Sequence, residues 1–151
     1  MLENTPVTGI AHVIQLAVAP VFLLTGIGAI LAVMTGRLAR IVDRARALQS
    51  KQPSAPVDEK ALEAELTSLS KRASLVSRAI GLCTLTALLV SAVIGVLFLG
   101  AFTNFDASIA VAVIFVAAML ALVASLLYFL REIQIATSRL CIDYRRSKTP
   151  G

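Results

Sequence analysis

Three stretches without a single Lys, Arg, Asp or Glu constrain this chain before anything else does: residues 10–36, 79–102 and 107–130. Each is long enough to cross a hydrocarbon core of about 30 Å as a helix rising about 1.5 Å per residue. Backbone inside lipid must bond to itself, and a single apolar run does so only as an α-helix. Hydrophobic residues are 58% of the chain and charged residues 15%, well below the roughly one quarter charged of a soluble domain. The expected class is an all-α integral membrane protein with three transmembrane helices, at 10–36, 79–102 and 108–130.

The charges set the orientation. The fourteen Lys and Arg residues fall in 37–51, 60–78 and 131–148. The outer arm at 1–9 and the short turn at 103–107 have none and carry Glu3 and Asp106 instead. The positive-inside rule then places the N-terminus outside and the 37–78 segment and the 131–151 tail in the cytosol. A cleavable signal peptide fits poorly, because no basic segment precedes the first run and that run is too long. The basic excess reads as topogenic and lipid-facing, not as a nucleic-acid surface, since the bases are spread over three helices and interleaved with acids.

The cytosolic segments have their own pattern. In Arg37–Leu48, the apolar residues Leu38, Ile41, Ala45 and Leu48 share one helical face. Pro53 and Pro56 break the chain. Helix resumes at 57–60, and Leu62, Leu66, Leu69, Ala73, Val76 and Ile80 follow at spacings of four and three, an a/d seam. The two stripes predict an antiparallel, coiled-coil-like hairpin that extends the first two spans, with a cytosolic helix after the third. On that third extension, Ile133, Ala136, Leu140 and Tyr144 form the expected inward stripe.

Within the spans, Gly28, Ala32 and Gly36 form one ladder of small residues and Ala87, Ser91 and Gly95 another. Such ladders let helix backbones approach closely in lipid. The partner could be a neighbouring span or a second subunit. Pro20 removes one backbone bond from the first run. Either the helix continues through it with a kink, or residues 6–19 lie along the interface. His12, Gln15 and Thr25 are the polar positions of this run. Arg37, Arg78 and Arg131 mark the inner boundary of the three spans. With Arg40 and Arg44 they form an expected lipid or anion collar, and Arg37, Arg40 and Arg44, which fall within about 60° of one another on a helix, could form a dedicated lipid or anion site.

The strings IAHVIQLAVAPVFLLTGIGAILAVMTGRLARIVDRARAL and SKRASLVSRAIGLCTLTALLVSAVIGVLFLGAF, with the REIQIAT exit, resemble a family of small bacterial three-span membrane proteins. It is known as a domain of unknown function, family twenty-seven-twenty-one. Ala19–Leu24 and Arg37–Arg44 are its most specific pieces, and the resemblance covers about 10–140. It implies a bacterial inner membrane and a three-helix build. It implies no activity, cofactor or catalytic residue.

Two function classes follow from the residues themselves. One is a non-enzymatic oligomeric scaffold or interaction module, with the cytosolic bundle as docking surface for a cytosolic or membrane protein and an anionic inner leaflet as its lipid partner. The other is a small oligomeric ion channel, with Arg37 and Arg40 ringing the cytosolic mouth. The spans hold no ionisable group at depth, which counts against a pathway. An enzyme would need a nucleophile with its base, a metal cluster or paired carboxylates. One His and two separated Cys do not supply these, so neither a metal nor a cofactor is expected.

Overall fold

The computed structural model describes residues 6–50, 56–102 and 108–147, with side chains placed for 11–50, 60–100 and 108–136. It contains three helices: α1 (Pro6–Gln49), α2 (Pro56–Phe102) and α3 (Ser108–Ser147). At about 1.5 Å per residue they are roughly 66, 70 and 60 Å long, twice what a hydrocarbon core needs. Each is therefore a membrane span with an extension. The turn at 103–107, with Asp106, and the residues 148–151 lie outside the described residues. So do the side chains of Leu140, Cys141 and Tyr144.

α1 runs through Pro20 without interruption. A single missing N–H is tolerated because the helix on both sides keeps its own bonds. At its end, the Ser50 N–H donates to the Arg46 carbonyl at 3.1 Å and the Ser50 hydroxyl donates to the Ala47 carbonyl at 3.0 Å. Two carbonyls left over by the last turn are satisfied in this way. α2 begins at Pro56, where proline lacks only a donor that the first turn would not use.

The chain divides into two compact units. One comprises 1–32 and 82–123, the other 33–81 and 124–151. In the first, the apolar unit, little of the surface is internal. Ala17, Ile27, Val90, Val93 and Ala118 are buried, whereas Phe22, Leu88, Leu99, Ile109 and Leu120 are each more than 60% exposed. All three helices are long and apolar enough to cross a membrane. An apolar surface that large on helices of this length is suited to lipid and to other membrane helices, not to water. The protein is a multi-pass membrane protein.

The second, charged unit is built on the predicted seam. Ile41, Leu48, Leu69 and Val76 form its core, with Leu38, Ala45, Leu62, Leu66, Ala73 and Ile80 packed against them. α3 joins through Ser125, whose hydroxyl donates to the Ala79 carbonyl at 2.7 Å, fully buried. That carbonyl has a second lone pair to spare. Ser125→Ala is therefore expected to cost only about 0.6 kcal/mol, near the mean for hydrogen bonds between membrane helices. The check is the thermal midpoint of the purified protein.

Buried positions recur every seven residues along each helix: Ile27, Met34, Ile41 and Leu48 in α1, Leu69, Val76, Cys83 and Val90 in α2, and Ala118, Ser125 and Glu132 in α3. A seven-residue repeat keeps one side of a helix facing its neighbours over many turns. The repeat continues past the ends of the predicted hairpin into the apolar runs.

Candidate functional site

Among the described residues, the charged unit contains one fully buried carboxylate. Glu132 follows Arg131 at the end of the third apolar run, where a charge would ordinarily face water. In the structure it is 0% exposed, because it falls seven residues beyond Ser125 on the buried line of α3. Arg72 of α2 donates to its Oε1 from both Nε, at 3.2 Å, and Nη2, at 2.9 Å. Arg37 of α1 reaches Oε2 only at 3.8 Å, too far for a hydrogen bond. Its guanidinium lies over the ring of Phe129, 5.6 Å from the centroid, which adds a cation–π contact. One carboxylate thus ties all three helices together. Among the described residues, nothing donates a hydrogen bond to its Oε2.

These groups line a cavity of about 200 Å³ together with Arg40, Arg44, Ile41 and Leu69. Four guanidinium groups and one carboxylate meet there. Arg44 is also held on its outer side by Glu65, at 2.9 Å from Nη2 and 3.2 Å from Nε. That pair is largely exposed, with side chains 60% and 43% accessible. Glu65→Ala should lower stability by less than about 1 kcal/mol, as exposed pairs do. A double-mutant cycle with Arg44→Ala measures it.

The arginines of the predicted collar separate into two groups. Arg37, Arg40 and Arg44 line the cavity, whereas Arg78 and Arg131 are exposed and do not. Arg72 and Glu132 complete the site and were not singled out by sequence reasoning. The small-residue ladders are open at their glycines, while Ala87 is half-buried. A side chain added at Gly28, Gly36 or Gly95 would meet nothing within 4 Å. Lipid or a second subunit remains as their neighbour. His12, Gln15 and Thr25 are also on exposed faces. The Thr25 hydroxyl donates to its own helix at the Val21 carbonyl, 3.4 Å away. The Ser91 hydroxyl does the same at the Ala87 carbonyl, at 2.8 Å. No group of three or more His, Cys, Asp or Glu side chains is placed to hold a metal among the described residues.

A second opening lies in the same unit, between α1 and α2. It is a groove of about 700 Å³ with Ile41, Val42, Ala45 and Leu66 among its apolar walls and Arg46 and Lys71 among its basic ones.

Both openings and the buried carboxylate fall within residues 17–142, which match the model of a family described as a protein of unknown function, DUF2721. The chain belongs to that family. No curated protein and no solved structure matches it. The DUF2721 match takes in the charged unit up to residue 142, so the cavity and the groove lie wholly inside the family region.

Proposed function

We propose that this DUF2721 protein is a non-enzymatic, oligomeric scaffold or interaction module of the bacterial inner membrane, with its N-terminus outside and its charged unit in the cytosol. The observation that carries the reading is the groove between α1 and α2. Apolar walls bordered by Arg46 and Lys71 suit a partner helix that has an apolar stripe and acidic flanks, the usual helix-in-groove mode. The ladders, open at Gly28, Gly36 and Gly95, supply surfaces on which copies could pack in lipid. The channel reading has less support. It needs Arg37 turned toward a pore axis, yet Arg37 is engaged with Glu132 and Phe129 of its own chain.

The test places a photo-crosslinking residue at Thr67 or Ser70 in the groove and, as control, at the exposed Ala39. The expected result is a discrete adduct from the groove positions alone, lost when Lys71→Glu reverses the rim charge. Adducts that ignore Lys71→Glu would remove the reading. So would ion conductance in planar bilayers that Arg40→Gln abolishes, which would put the channel in its place.

A further inference from the structure

Two groups of the arginine cavity have no hydrogen-bond partner among the described residues, the exposed guanidinium of Arg40 and the buried Oε2 of Glu132, and what they could bind is complementary. Arg40 forms no ion pair or hydrogen bond among the described residues, although three other guanidinium groups share its cavity. Glu132 Oε2 is fully buried and accepts no hydrogen bond from them either. Buried acceptors are nearly always satisfied, and one that is not calls for a water, an ion or a ligand. A ligand that serves both groups brings an anionic group for Arg40 and an O–H or N–H donor for Glu132. Arginine forks match the oxygens of phosphate particularly well.

We propose that the cavity formed by Arg37, Arg40, Arg44, Arg72 and Glu132 binds a phosphate group that carries a hydrogen-bond donor with it. Arg40 and Arg44 take the phosphate oxygens, and Glu132 takes the donor. Arg37 and Arg72 stay on the carboxylate and contribute field. The carboxylate is thereby a selectivity element as well as a structural one, since a bare anion without a donor would be repelled by it. About 200 Å³ holds a phosphate and the small group joined to it, with a few waters.

Two sources offer this chemistry. One is a lipid headgroup with a hydroxyl or ammonium group. The other is soluble phosphate, whose protonated form has its own O–H. The chain favours the first. Arg37 directly follows the apolar run that ends at Gly36, and Arg40 and Arg44 lie about 4.5 and 10.5 Å further along α1. The cavity thus begins where hydrocarbon gives way to headgroups. The cavity shares the apolar walls Ile41 and Leu69 with the groove, but none of its charged groups lines the groove, so the proposal does not depend on what the groove holds.

The experiment uses the full chain in a phosphate-free maltoside detergent. Native mass spectrometry measures retention of phosphatidylglycerol, phosphatidylethanolamine and phosphatidylcholine, the last having no O–H or N–H donor. Inorganic phosphate is titrated separately against the thermal midpoint. One glycerol or ethanolamine lipid per chain should be retained in preference to the choline lipid. Arg40→Gln should weaken that retention roughly tenfold, the size of one hydrogen bond to a charged group. Since Arg40 pairs with nothing among the described residues, the midpoint without ligand should not move. Phosphate raising the midpoint of the unmodified protein but not of Arg40→Gln, with no preference among lipids, would assign the site to the soluble source. The proposal is overturned if neither ligand class distinguishes the unmodified protein from Arg40→Gln. Equal losses from Arg40→Gln and from Arg78→Gln, which lies outside the cavity, would also overturn it by marking the attraction as diffuse.

Discussion

Replacing Arg72 by alanine is expected to cost the protein roughly 3–5 kcal/mol, the range for removing one partner of a buried ion pair. Glu132 has no exposed surface, and Arg72 supplies both of its hydrogen bonds. Without Arg72, only Arg37 remains near the carboxylate, at 3.8 Å. The reverse change, Glu132→Ala, should do less harm. The side chains of Arg72 and Arg37 are 22% and 34% accessible, so either cation can lean toward water once its counter-ion is gone. The double variant Arg72→Ala/Glu132→Ala should be more stable than Arg72→Ala alone, because no buried charge is then left uncompensated. Arg72→Lys should fall between, since an ammonium cannot place two donors on one oxygen in fork geometry. The chain has no tryptophan, so unfolding is best followed through Cys83, which is fully buried. In a Cys141→Ser background, its labelling by a maleimide dye reports loss of packing as temperature rises. If Arg72→Ala shifted that midpoint no more than the exposed Arg44→Ala does, the account of Glu132 as a buried, tied carboxylate would fail.

The contrast between Arg72 and Arg44 also bears on how much of the fold and site is legible in the sequence. The spans are legible because the charges stop so abruptly at Arg37, Arg78 and Arg131. The seam from Leu62 to Ile80 is legible because alternating steps of four and three keep one apolar line on a helix and fit no strand. Arg37, Arg40 and Arg44 can be grouped because they lie on one sector of a single helix. Arg72 and Glu132 cannot be reached in this way. Each sits in an amphipathic segment where a charge reads as solvent-facing, and their meeting depends on the packing of three helices. The expected inward stripe of α3 begins at Ile133, which is half-buried, one residue past the true buried position. The signal that would have found it is spacing alone. Ala118, Ser125 and Glu132 are seven apart, the same interval as Leu69, Val76, Cys83 and Val90. Polarity hides it, because a carboxylate is the last residue that a hydrophobicity pattern would place inside. The ladders at Gly28 and Gly95 are legible as small-residue lines, but spacing alone leaves open whether their neighbour is another span or a second subunit, and a side chain added at either glycine would meet nothing within 4 Å.

If the seven-residue repeat governs the whole of α1, neighbouring residues inside its apolar run must differ sharply in cost. Met34 and Val33 are both hydrophobic, adjacent, and three or four residues before the first arginine. Met34 has no exposed surface, while Val33 is 57% exposed. Hydropathy cannot separate them, but the repeat can, since Met34 lies seven residues from both Ile27 and Ile41. Met34→Ala leaves a void between helices that the surrounding side chains fill only in part. The usual range for such a truncation is about 2–5 kcal/mol. The lower half of that range is expected here, because lipid is as apolar as the interior and the loss is one of packing alone. Val33→Ala should change stability by no more than about 0.5 kcal/mol, as exposed substitutions do. The midpoint of Cys83 labelling measures both variants in one series. Equal costs would mean that the buried repeat stops where the charges of α1 begin, at Arg37, and that the apolar run before it is held by lipid alone. A large gap would carry the register of Ile41 and Leu48 into the membrane, making the span and its extension one continuously packed helix.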